Sequence, residues 1–127
     1  MSGLLRAEWL KVTSTRMLLG MLVGALAFTA LGVVAQIFAS GQPGAPALTD
    51  PAAVRGVYAS AGSAAIFVLV LGIIGMTTEY RHMTVTSTFL ATPQRGRVMV
   101  AKMVVHAVLG LLFAVVALVL AVALAAV

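Results

Sequence analysis

Apolar positions in this chain fall into three long unbroken runs, and the polar residues collect between them. Residues 17–38 read MLLGMLVGALAFTALGVVAQIF without a single charge. A helix of that length, rising about 1.5 Å per residue, crosses a hydrocarbon core of about 30 Å. A second run occupies residues 60–78, with AAIFVLVLGIIGM inside it, and a third occupies residues 98–127. Both are also long enough to span. A secretory signal peptide competes for the first run, with Arg6, Lys11 and Arg16 as its basic start. The apolar stretch exceeds the about 7–15 residues of a signal core, so an uncleaved span is expected. The pattern predicts an all-α membrane protein with three transmembrane helices in one domain.

The segments between the runs have characters of their own. Residues 39–59 include ASGQPGAPALTDPAAVRGVY, whose three prolines and three glycines predict a loop, with a helix start signalled at Asp50 and Pro51. Residues 1–16 predict a short interfacial helix. It has Leu5, Trp9 and Val12 on one side, and Arg6, Glu8 and Lys11 largely elsewhere, with Trp9 at headgroup depth. Residues 79–97 form a polar island. Within it Thr92 and Pro93 signal a new helix running into the third span, and Phe89 and Leu90 are the apolar anchors of a short element upstream.

Composition strengthens the membrane reading. A mean hydropathy of +1.15, 9% charged residues and three acidic side chains could not cover a soluble globule with polar surface. The formal charge of +5 has no dense basic run or aromatic interleaving, so no nucleic-acid partner is expected. The basic residues report orientation instead. Three precede the first span and four (Arg81, Arg95, Arg97 and Lys102) lie in the island or at the foot of the third, against Arg55 alone in the 39–59 segment. Seven against one places residues 1–16 and 79–97 in the cytoplasm, and 39–59 outside. Zero cysteines exclude disulfides and thiol chemistry.

Candidate chemistry is sparse. Glu79 and His82 are three residues apart and would share a helical side, which is the minimum for acid–base work, but no H-E-x-x-H or other metal-ligand spacing accompanies them. Glu79 is expected to be structural, pairing with Arg6, Lys11 or Arg16 at the same depth; local pairing with Arg81 or His82 is the alternative. His106 is an ionisable side chain within the third span, either functional or hydrogen-bonded to a neighbouring span. Gln36, Thr29 and Ser63 either line a path or bridge helices. Small residues at helical spacing, Gly20 and Gly24, Gly72 and Gly75, and the stripe Gly110, Ala114, Ala117, Ala121 and Ala125, predict close helix packing.

The succession LLRAEWLKVTSTR, a span, a long loop, a span ending in GMTTEYRHMTVTSTFLATPQRGRVMVAK, and a further span resembles the N-terminal half of an ABC-2 type transporter permease. The specific part is Glu79, Tyr80, Arg81, His82, Thr84, Thr92, Pro93, Arg95 and Lys102, which match the family pattern EYRHGT...L.TP.R.R...AK; elsewhere only span placement agrees. Met83 departs from it, standing where the family usually has glycine. The resemblance implies an interfacial elbow helix at the N-terminus and a cytoplasmic coupling segment in the island, where Thr84, Phe89 and Leu90 dock an ABC ATPase subunit. Permeases of this kind usually have six spans, so it also implies a second permease protomer or a missing C-terminal half. Whether the chain is a fragment, a truncated product or half of a split permease stays open.

The expected function is therefore the permease subunit of an ATP-driven exporter in the plasma membrane, with its N-terminus cytoplasmic. No G-x-x-x-x-G-K-[ST] occurs, so ATP and magnesium belong to the partner ATPase, and no cofactor, metal or catalytic residue is expected on this chain. Membrane lipids are its other partners. The alternative is a small three-span pore-forming or scaffolding protein of the holin kind. No residue identifies the cargo.

Overall fold

The computed structural model describes residues 2–81 and 95–126, and every element in them is helical. In chain order these are α1 (Ser2–Thr13), α2 (Arg16–Ser40), α3 (Pro51–Gly62), α4 (Ala64–Arg81) and α5 (Arg95–Ala125). Three stretches are long and apolar enough to cross a membrane: Arg16–Ser40, Pro51–Thr78 and Gly96–Ala125. Their 25, 28 and 30 residues correspond to about 38, 42 and 45 Å of helix, more than the about 30 Å required. Leu19, Leu31, Phe38, Ile66, Leu69, Met103, Leu111 and Val119 are among the large apolar side chains that remain exposed. In water such a surface would drive aggregation; in a bilayer it is the surface that meets lipid. The chain is a multi-pass membrane protein.

α1 ends where the sequence supplies hydroxyls for its last carbonyls. Thr13 Oγ1 donates to Trp9 O at 2.8 Å, Ser14 Oγ to Lys11 O at 3.1 Å, and Thr15 Oγ1 to Val12 O at 2.7 Å. Lys11 O and Val12 O are among the last carbonyls that a helix end leaves without an i+4 intrahelical partner. α2 then starts after Thr15, whose extended backbone (φ −91°, ψ 133°) makes the corner.

The 39–59 segment divides differently from the expected loop. Non-helical chain is confined to residues 41–50, and α3 begins at Pro51, with Asp50 in extended conformation ahead of it (φ −69°, ψ 141°). Ala53, Val57 and Ala61 are buried at i, i+4 and i+8, so α3 packs into the bundle. Helix breaks off only around Ser63, whose Oγ donates to Ser60 O at 2.5 Å, before α4 continues. Pro43 and Pro46 lie in that loop, and Pro51 is the first residue of α3, as the start signal at Asp50 and Pro51 predicts; there its missing N–H costs nothing.

α5 packs against each of the other four helices. Its buried face, Val98, Ala101, Lys102, Val105, Leu109, Phe113, Ala117 and Ala121, repeats every three or four residues. Of the expected small-residue stripe, Ala117 and Ala121 are fully buried, Gly110 faces Val68 and Ala125 packs on the core; Ala114 faces outward, and Phe113 takes the inward position beside it. Gly24 meets the Phe67 ring, and a Cβ added there would lie 2.7 Å from it. Between α2 and α3 the exchange is reciprocal. Gly32 leaves room for Ser60, and Gly56 leaves room for Gln36, where a Cβ would come within 2.6 Å of the amide. These pairings make α2 antiparallel to α3 and α4, and the facing of Gly75 with His106 and of Gly110 with Val68 makes α5 antiparallel to α4. One end of the bundle therefore holds α1, the start of α2, the end of α4 and the start of α5.

Candidate functional site

Three charged side chains meet at that end. Glu8 on α1 is 3% exposed, and each of its carboxylate oxygens accepts from one lysine. Lys102 Nζ of α5 donates to Oε2 at 2.8 Å, and Lys11 Nζ, one turn along α1, donates to Oε1 at 2.9 Å. Lys102 is buried with Glu8, while the Lys11 side chain is 47% exposed. Burial pushes the Glu8 carboxyl upward, but the hydrogen bonds and positive charge of Lys102 and Lys11 outweigh it and hold the group below its usual range. The pair Glu8–Lys102 joins positions 94 residues apart and fastens α1 to the foot of α5.

α1 is turned to make this possible. Leu5, Glu8 and Val12 form its inward side; Leu5 and Val12 pack with Met17, Leu18 and Met21 around Leu71, Val105 and Leu109. The expected apolar side of Leu5, Trp9 and Val12, with Glu8 elsewhere, is corrected accordingly. Trp9 stays at the margin, 37% exposed. Two ammonium groups can compensate a buried carboxylate, so the helix hides Glu8 and leaves part of an indole outside.

One helical turn beyond Lys102, His106 lies against α4. Its Nδ1 is 2.8 Å from Lys102 O, and because a carbonyl oxygen only accepts, Nδ1 carries the proton. Nε2 is buried, has no hydrogen-bond partner among the described residues, and points at Gly75, where a Cβ would stand 2.8 Å away. The ring is thus tied to its own helix and not, among the described residues, to a neighbouring span. Gly75, Lys102 and His106 share with Glu8, Lys11, Thr15, Leu71, Ile74 and Thr78 the walls of a cavity of about 470 Å³ between α1, α4 and α5.

The other candidates are placed as follows. Glu79 belongs to α4, but its side chain lies outside the described residues, as do Thr84, Phe89, Leu90 and the Thr92–Pro93 helix start. Arg6, Arg16 and Arg81 are exposed at the α1 end of the bundle, and Lys11 is there bonded to Glu8. Gln36 lies at the α2–α3 contact over Gly56. Thr29 is fully buried on α2, yet its hydroxyl has no partner among the described residues, and the Ser63 hydroxyl bonds within its own chain segment. Of the two alternatives, lining a path or bridging helices, neither hydroxyl makes a bridge among the described residues. Sequence reasoning missed Glu8 and Lys102 as partners. The available signal was Glu8 sitting at i+3 from Leu5 and i−4 from Val12, which places it beside the apolar residues of α1.

No protein-family model, curated protein or solved structure matches the chain.

Proposed function

We propose that this chain is the membrane-spanning permease part of an ATP-driven exporter of the ABC-2 type, working with a separate ATPase. The observation that carries the reading is the island signature, EYRH followed by TPQRGR and AK between two spans. Its last element includes Lys102, the residue that takes Glu8 of the N-terminal helix into a buried ion pair. A chain without a P-loop draws its energy from elsewhere. A partner that pushes on the segment between α4 and α5 would move the foot of α5 together with α1, since breaking a buried ion pair costs about 3–5 kcal/mol. Packed elements moving as units are the usual currency of such transitions.

On this reading the chain resides in the plasma membrane with residues 1–16 and 79–97 in the cytoplasm, supported by the seven-to-one distribution of basic residues. Thr84, Phe89 and Leu90 are the docking residues, and a second protomer or a C-terminal half completes the translocation path. Purification of the tagged chain from its native membrane tests the proposal. Recovery of a P-loop ATPase in stoichiometric amount is expected. Absence of any ATPase, together with release of dye from vesicles by the purified chain alone, would reject it in favour of a holin-like pore.

A further inference from the structure

We infer that the outward face of α1, formed by Arg6, Trp9 and Leu10, is a contact surface for acidic phospholipid headgroups, with Arg16 at the α1–α2 corner as its second cation. This role is independent of any transport function. Positions 6, 9 and 10 share one helical face at i, i+3 and i+4. The opposite face is occupied, because Leu5 and Val12 pack into the bundle and Glu8 is tied to Lys102. Trp9 and Leu10 are 37% and 56% exposed, and Arg6 and Arg16 are exposed too. Neither arginine has an ion pair or hydrogen bond among the described residues. Glu8, the carboxylate nearest to them in sequence, is turned away and already shared between two lysines.

The position of α1 decides what this face meets. Leu5 and Val12 pack on a cluster that includes Val105 and Leu109, ten and fourteen residues past Arg95, so α1 lies along the flank of the bundle and not across its tip. A face turned away from the flank of a multi-pass membrane protein meets lipid. The span in α5 has 30 residues, about 15 Å more helix than the hydrocarbon core requires, so its foot reaches headgroup depth. An indole suits that depth, with an apolar body and one N–H donor, and Leu10 gains there what water would not give it. A guanidinium meets phosphate oxygens as a two-pronged donor. A zwitterionic headgroup carries its own cation beside the phosphate, whereas phosphatidylglycerol leaves the phosphate charge uncompensated, so Arg6 and Arg16 favour the acidic lipid.

The full chain is reconstituted into vesicles of equal parts phosphatidylglycerol and phosphatidylcholine, with brominated acyl chains on one lipid or the other. Trp9 is the only tryptophan of the chain, so quenching of its fluorescence reports this face alone. Brominated phosphatidylglycerol should quench more strongly than brominated phosphatidylcholine, with a ratio of association constants of at least about five, the effect of one basic residue near an acidic surface. Arg6→Gln/Arg16→Gln should bring that ratio close to unity while both lipids still quench Trp9. Arg55→Gln, at the other end of the bundle, should leave the ratio unchanged. Equal quenching by the two lipids in the unsubstituted chain, or an unchanged ratio in the double variant, overturns the assignment of acidic headgroups to Arg6 and Arg16. Quenching by aqueous acrylamide and by neither lipid would show the face turned to water and overturn the contact surface itself.

Discussion

A carboxylate 3% exposed inside an apolar bundle persists only where its charge is matched, and Glu8 is matched by two lysines. The two differ in weight. Lys102 is buried with Glu8, so Lys102→Met should destabilise the fold by about 3–5 kcal/mol. Lys11 is half exposed, and Lys11→Met should cost about 1 kcal/mol or less. Denaturation in detergent micelles measures both, and a Glu8→Leu/Lys102→Met double variant should be more stable than Lys102→Met alone, because in the latter the buried carboxylate keeps only the half-exposed Lys11. The pair also has a pH signature. The folded-state Glu8 pKa lies below its usual 4.5, so the stabilisation is fully present above pH 4.5 and fades as the pH falls through the lower folded value. The stability difference between wild type and Glu8→Gln should therefore be constant from neutral pH down to about 4.5 and shrink below it; a difference that grows on acidification would contradict the assignment.

At the level of whole helices, the contact of α4 with α5 depends on the missing side chain of Gly75. A methyl group there would stand 2.8 Å from His106 Nε2, so Gly75→Ala should destabilise the protein by about 1–3 kcal/mol through overpacking. His106→Ala in the same chain should recover most of that loss, whereas full stability of Gly75→Ala alone would show that the helices do not meet there. Spans were readable in the sequence because unbroken apolar runs of this length have few other outcomes. Which side of each helix faces inward was less readable. In spans that are apolar all round, the pattern of charge and polarity that marks a buried face in soluble helices is absent. Thus Phe113 faces inward where the small-residue stripe had put Ala114, and residues 51–59 were counted with the loop although Asp50 and Pro51 signalled the helix start that is found there. Glu8 was misread for a related reason: its burial depends on Lys102, 94 residues away, and no local periodicity reports a partner at that distance.

For the molecule as a whole, the structure gathers α1 and the foot of α5 at one end, and Tyr58, Leu48 and Val122 around a second, apolar cavity at the other. Seven of the eight Lys and Arg residues belong to the first end by sequence, which predicts that it faces the cytoplasm. Single cysteines at Gln42 and Thr86, probed in intact cells with an impermeant maleimide, should react at Gln42→Cys and not at Thr86→Cys; reaction at Thr86→Cys alone would invert the orientation. The proposal that the chain takes its energy from a partner ATPase through the island is put to the test by the affinity of a co-purified ATPase for the reconstituted protein and for its Phe89→Ser/Leu90→Ser variant. An aromatic and a leucine at the centre of an interface carry a large share of its binding energy, so the variant should insert normally and bind at least about ten-fold more weakly. Unchanged affinity in the doubly substituted protein would contradict the account and leave Phe89 and Leu90 as anchors in the bilayer.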